Sequence, residues 1–209
     1  MSRTSRREAL GLMALAASAA WLPLAAQAAA NIDQPAPAFT GQGADGKPVS
    51  LAAYRGKTVV LEWTNHQCPF VRKHYDSGNI PRLQQEATGH GVVWLQVISS
   101  GPGQEGNVDG ATAIKLNQQR HAVPTATVLD PEGTIGKLYG AQTSPHLFIV
   151  NAQGQLVYKG GIDSIPSTNV DDIARAENYV RLALADVAAG RKVAQSSTRP
   201  YGCSVKYAS

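Results

Sequence analysis

Between Thr58 and Thr64 the chain reads TVVLEWT, and three residues further on it reads Cys68-Pro69-Phe70-Val71. The first stretch is β-branched and aromatic, the composition of a buried strand. Proline suits the first position of a helix, where the N–H it lacks would have no intrahelical acceptor. A helix is therefore expected from Cys68 to about Gly89, kinked or broken where Gly78 and Pro81 interrupt it. Strands alternating with helices in this way along the chain point to a layered α/β architecture with a mixed sheet.

The rest of the chain supplies the layers. Residues 31–55 are rich in turn formers, and Asp45-Gly46 between short semi-apolar runs predicts a hairpin. VVWLQVIS, residues 92–99, reads as a second strand. The loop from Gly101 to Gly110 holds four glycines and no hydrophobic pattern, either a lid or an insertion. A helix over 111–121, a strand over 125–129 and a short helix over 132–139 follow. Strands over 146–150 and 156–159 flank the turn Asn151-Ala152-Gln153-Gly154. Ile173, Ala176, Val180, Leu184 and Val187 recur at helical spacing, so a helix is expected over 171–189, ended by Gly190. The expected fold is α/β, a mixed central β-sheet flanked by helices with an N-terminal hairpin. The domain spans 29–189, and residues 190–209 form a C-terminal tail carrying Cys203.

The first 28 residues have a different character. A basic start containing Arg3, Arg6 and Arg7 leads into a Leu/Ala-rich run, then into Ala-Gln-Ala ending at Ala28. This three-part composition predicts a bacterial export signal cleaved after Ala28, and so a periplasmic or otherwise exported protein that meets the export machinery. Ser5-Arg6-Arg7-Glu8-Ala9-Leu10 is similar to a twin-arginine signal, with Ala9 where an aromatic residue is usual. Removing 28 of 209 residues lowers the net charge from +4 to about +2, too little to suggest nucleic acid as a partner. A domain of that size buries a core without disulfide staples. Its two cysteines, Cys68 and Cys203, are in an oxidising compartment either a pair or two reactive thiols.

Two local features coincide with a known pattern. One is the strand ending at Cys68-Pro69; the other is Ser144-Pro145-His146-Leu147-Phe148, a proline directly before a strand. Taken with APAFTGQGADGKPVSLAAYRGKTVVLEWT and the terminal PYGCSVKY, the chain resembles the peroxiredoxin-like branch of the alkyl hydroperoxide reductase/thiol-specific antioxidant redoxins. The resemblance implies a thioredoxin-like fold in which Pro145 follows a cis bond and lies beside the reactive cysteine. It also marks departures. Asn65 and Leu61 stand where a peroxiredoxin has threonine and proline, and Val71 stands where a thioredoxin has its second cysteine.

A cysteine at a helix start faces free backbone N–H groups, an environment that favours the nucleophilic thiolate. Cys68 is accordingly the candidate nucleophile, set against the plainer reading of a thiol packed in the core. His66, Arg72, Lys73 and His74 are close in sequence and could add positive potential, though solvated charges are the simpler expectation for them. Cys203 sits among Tyr201, Val205 and Tyr207, which could dock the tail so that Cys203 resolves a disulfide on Cys68; a disulfide to another protein is the alternative. Glu62, a carboxylate inside a strand, either is buried with a raised pKa as a proton shuttle or faces a loop-covered surface. His146 either lies near Cys68 or is turned away by strand alternation.

These residues predict an oxidoreductase exchanging thiols and disulfides with a protein or small-molecule thiol, without a cofactor. Alternatives are a thiol peroxidase acting on hydroperoxides, a copper carrier of the Sco type using His66, Cys68 and His146, and a redox-inactive binding module.

Overall fold

The computed structural model describes residues 30–208. The export-signal reading of residues 1–28 falls outside them. Strands β1 (Thr40–Gly43) and β2 (Pro48–Ser50) pair antiparallel around Asp45-Gly46, as the turn dipeptide predicts. The core strands are β3 (Val59–Trp63), β4 (Val93–Ile98), β5 (Ala126–Leu129), β7 (His146–Val150) and β8 (Leu156–Gly160). With the hairpin they form one seven-stranded sheet in the order β2-β1-β5-β4-β3-β7-β8.

Strands β3, β4 and β5 run parallel, and the remaining pairings are antiparallel. Parallel neighbours need crossover connections, which cover the sheet with helices. Helices α1 (Pro69–Asp76) and α2 (Asn79–Gly89) make the first crossover, and α3 (Gly110–Gln119) makes the second. All five residues of central β3 are buried, so its side chains divide between two cores. Val59, Leu61 and Trp63 pack with Leu95, Val97 and Phe148 on one face. Val60 packs with Trp94, Leu147, Ile149 and the apolar sides of α1 and α2 on the other.

The helix expected from Cys68 to Gly89 is two helices. The break is at Gly78, whose φ of +71° a residue with a side chain rarely adopts. Pro81 falls in the first turn of α2, where it breaks nothing, because N–H groups there have no intrahelical partner. The helix expected over 171–189 is also divided. Val170–Ala174 is a 3-10 turn, and α5 runs only over Tyr179–Ala188. Asn178 caps α5 by accepting from the Arg181 N–H at 2.9 Å, and the Tyr179 N–H is held by the Ile162 carbonyl at 3.0 Å. Those bonds redirect the backbone where the apolar spacing alone reads as continuous helix. Helix α4 (Thr134–Tyr139) is close to its expected span.

The tail is part of the folded body. It first runs parallel to the outer edge of β8, with the Lys159 N–H bonded to the Ser196 carbonyl at 3.0 Å and the Thr198 N–H to the Lys159 carbonyl at 3.1 Å. An otherwise open sheet edge is thereby covered. It then forms β9 (Cys203–Ser204), which pairs antiparallel with β6 (Thr143–Ser144) so that Cys203 lies opposite Ser144. Three further bonds hold its end: Val205 N–H to the Gln142 carbonyl at 3.0 Å, Gly101 N–H to the Lys206 carbonyl at 2.7 Å, and the Tyr207 hydroxyl to the Ala141 carbonyl at 2.7 Å.

Candidate active site

Three distant segments meet at Cys68. The residue is the N-cap of α1, in extended conformation, with Pro69 at the first helical position. Its thiol donates to the Ser144 carbonyl at 3.1 Å, the carbonyl of the Ser144-Pro145 peptide bond, which is cis. Its sulfur accepts the backbone N–H of Cys203 at 3.4 Å. Both cysteines are free thiols. Cys68 has no exposed surface, because β9 and the Ser144-Pro145 segment close over it, whereas Cys203 is only half-buried. Burial, and then a hydrogen bond and charge from Cys68, push the Cys203 thiol up to about 12.

Glu62 is completely buried on the helix-covered face of β3, which excludes the loop-covered surface. Burial raises its pKa despite three donors that favour the carboxylate: the Tyr75 hydroxyl at 2.6 Å, the Trp94 indole N–H at 2.7 Å and the Gln84 amide at 3.2 Å. The network continues through Gln96 to Tyr75 at 2.6 Å and Thr127 to Gln96 at 2.9 Å, with the Arg120 guanidinium 3.9 Å above the Tyr75 ring. Its contact with the helix is thus Tyr75, about two turns along α1 from Cys68.

His146 is turned away from Cys68. It shares its face of β7 with Phe148, and its ring stacks on Phe148 with centroids 4.4 Å apart. Its Nδ1 accepts the Gln142 N–H at 3.2 Å, and burial, with Lys159 adding, lowers its pKa to about 3. The copper set of His66, Cys68 and His146 therefore does not converge; the described residues contain no cluster of three metal-ligating side chains. His66 is half-buried, with its pKa lowered by burial.

Of the α1 charges, Arg72 is exposed and paired with Asp76 at 3.8 Å. Lys73 and His74 are not the solvated groups their types suggest. Both are buried and face Asp163, Lys73 Nζ at 3.9 Å and His74 Nε2 at 3.8 Å from Asp163 Oδ2. Tyr201 of the tail completes the cluster, its hydroxyl donating to Asp163 Oδ1 at 2.5 Å. Nothing local in the sequence marks Asp163; only the pattern of a lysine and a histidine on one helix near a cysteine could have prompted a search for a buried acid.

The loop from Gly101 to Gly110 packs against the approach to Cys68. Asn65 donates to Glu105 Oε1 at 3.0 Å, and the Gly106 N–H donates to Gln67 Oε1 at 2.8 Å. Asp109 at its end caps α3 through the Thr112 N–H at 2.7 Å.

Comparison with known proteins agrees with this architecture. A protein of unassigned role from Geobacillus kaustophilus superposes with a TM-score of 0.71 at 23% identity, covering 86% of this chain and 93% of that one. A hypothetical protein from Sinorhizobium meliloti gives 0.67 at 20% identity, covering 86% and 96%. A candidate thiol:disulfide interchange protein DsbE from Chlorobium tepidum gives 0.50 at 22% identity, covering 62% and 85%. These likenesses show the thioredoxin-like fold. No curated protein sequence matches. The AhpC/TSA family profile matches residues 32–159, which include Cys68 and Pro145 and stop short of Cys203. The match spans more than half of the chain, and the protein belongs to the AhpC/TSA family, an oxidoreductase with a thioredoxin-like fold.

Proposed function

We propose that the protein is an exported thiol–disulfide oxidoreductase whose exchanging pair is Cys68 and Cys203. The observation that carries this reading is the 3.4 Å approach of the Cys203 N–H to the Cys68 sulfur, made by residues 135 apart in sequence. Export is supported by the composition of residues 1–28. The partner is a disulfide, and the reaction runs in two displacements. Cys68 thiolate attacks one partner sulfur, forming a mixed disulfide and expelling the other as a thiol after protonation. Cys203 then attacks the Cys68 sulfur, closing the intramolecular disulfide and releasing the second partner thiol. The dithiol loses two electrons and two protons, and the partner gains them.

The raised pKa of Cys203 fits this order. Part of its cause is the hydrogen bond and charge of Cys68. Once Cys68 is in a mixed disulfide, that contribution is gone, and the resolving thiol ionises more readily. Since Cys68 has no exposed surface, β9 must lift before a bulky partner reaches it. That burial also supports a second reading, a thiol peroxidase acting on a small hydroperoxide. Cys68 would take one peroxide oxygen as sulfenic acid, releasing water or an alcohol, and Cys203 would condense with it, releasing water. Asn65 and Leu61, in place of the family's threonine and proline, favour disulfide exchange over peroxide chemistry.

Thiol titration with peptide mapping, before and after mild reduction, tests the proposal. Recovery of an intramolecular Cys68–Cys203 peptide that reduces reversibly is expected. Two thiols that stay free under a mild disulfide oxidant would refute it. Comparing oxidation rates with a protein disulfide and with hydrogen peroxide then separates the two readings.

A further inference from the structure

Cys203 is held from both sides. Downstream, the β6–β9 ladder and the Val205 bond fix it. Upstream by two residues is Tyr201, which enters a socket of buried polar side chains that the exchange reaction does not use. The socket belongs largely to α1, the same helix that Cys68 caps, since Lys73 and His74 are its fifth and sixth residues. Asp163, just beyond β8, closes it. Phe70, the second residue of α1, meets the Tyr201 ring edge-on with centroids 5.8 Å apart.

The hydrogen bonds in the socket have one consistent direction. The Asn79 side-chain amide lies 2.9 Å from His74 Nδ1 and donates to it, so Nδ1 is the unprotonated nitrogen. His74 Nε2 then carries the proton and donates to the Tyr201 oxygen at 3.1 Å. Tyr201 in turn donates to Asp163 Oδ1 at 2.5 Å. Burial keeps His74 neutral, with its pKa lowered to about 3, as this tautomer requires. A phenol is the group that fits here: it accepts one bond, donates one, and packs its ring on Phe70.

We infer that Tyr201 is a positioning residue for the redox pair, a clamp that ties the tail to the helix bearing Cys68 and so sets the effective concentration of Cys203 at the Cys68 sulfur. The inference rests on the proposed pairing of those cysteines. When the clamp holds, the tail is ordered before the disulfide forms, and closure costs little further entropy. When it is released, the dithiol form gains freedom that must be given up on oxidation. The clamp therefore favours the disulfide form and speeds resolution of a mixed disulfide on Cys68.

The test is the glutathione redox equilibrium of the full-length protein, measured for wild type, Tyr201→Phe and Asp163→Asn. Tyr139→Phe serves as the control, because Tyr139 also donates to a carbonyl from a buried site, Pro37 at 2.7 Å, and takes no part in the Tyr201 socket. Both clamp variants are expected to lower the equilibrium constant for Cys68–Cys203 disulfide formation about tenfold, roughly 30 mV for this two-electron couple. Mixed disulfide of Cys68 with glutathione should accumulate in both by mass spectrometry. An unchanged constant in Tyr201→Phe, or an equal shift in Tyr139→Phe, overturns the inference.

If wild type forms no intramolecular disulfide at any glutathione ratio, the pairing itself fails. The clamp is then read by Cys68 alkylation alone: faster labelling in Tyr201→Phe supports a clamp on the tail, and equal labelling overturns it. Thermal melts of all variants show which remain folded at the assay temperature.

Discussion

Replacing Gly202 by alanine should uncover Cys68. Gly202 has a φ of +140°, and a Cβ there would lie 2.1 Å from the Ser144 carbonyl oxygen and 2.6 Å from its carbon. Both are backbone atoms of the strand that β9 pairs with, so neither can yield as a flexible side chain would. The backbone conformation alone costs about 1–3 kcal/mol for a residue with a side chain, and the collision adds to that. Beyond Gly202 the tail is held by the Val205, Lys206 and Tyr207 bonds, each worth about 0.5–1.5 kcal/mol net. The perturbation is therefore comparable with the hold. Labelling of a buried thiol through local opening follows the open population, and every 1.4 kcal/mol is about a factor of ten. Timed alkylation of the reduced Cys203→Ser protein, with and without Gly202→Ala, should show Cys68 labelled at least about tenfold faster in the double variant. Equal rates, with the fold intact by circular dichroism, would refute the role of β9 as the cover over Cys68.

Three further outcomes are expected. In native reduced protein a bulky maleimide should modify half-buried Cys203 before Cys68, slowly near neutral pH because that thiol is pushed up to about 12, and Cys68 only as β9 opens, which peptide mapping resolves. His74 and His146 have folded pKa values lowered to about 3 by burial. The unfolded state then binds more protons, and stability is lost as pH falls from about 6.5 toward 3, by about 2 kcal/mol per histidine at pH 5; urea midpoints at pH 7 and pH 5 check this, and His146→Gln should remove about half of the two histidines' share of the difference. Glu62 has the opposite sign. Its folded pKa is raised by burial, so the folded state binds more protons, and its contribution to stability declines as pH rises from 4.5 through the raised value; Glu62→Gln should remove that decline, and a pH profile parallel to wild type would contradict it.

The sequence was most informative where a local pattern decides the structure. The β-branched run at Val59–Trp63, Pro69 at the helix start and Asp45-Gly46 in a hairpin are each set by neighbouring residues, and the sheet, the position of Cys68 and the hairpin followed from them. The cis bond before Pro145 came from family resemblance rather than from any property of the residues. What stayed hidden depends on contacts distant in sequence. Lys73 and His74 carry ordinary surface side-chain types, and they are buried only because Asp163 and Tyr201, contributed from beyond β8 and from the tail, close over them. The orientation of His146 depends on the register of β7, where a shift of one residue exchanges the two faces. Helix α5 starts later than its apolar spacing predicts, because Ile173 and Ala176 continue that spacing while Asn178 and the Ile162 carbonyl restart the backbone.

The distance in sequence between the two cysteines has a consequence for heat and proteases. A Cys68–Cys203 bond would turn most of the domain into a closed ring of about 135 residues, leaving the hairpin and β3 outside it. Such a ring denies the unfolded chain much of its freedom, worth about 5 kcal/mol on the chain-entropy account. For a domain of this size that amounts to a rise in melting temperature on the order of 10 °C. Oxidation would make the protein harder to unfold and its strands harder to pull apart, so the oxidation state should also be legible as heat tolerance. A protein that passes electrons to a partner disulfide would be at its most fragile while charged with them and at its most durable once they are spent.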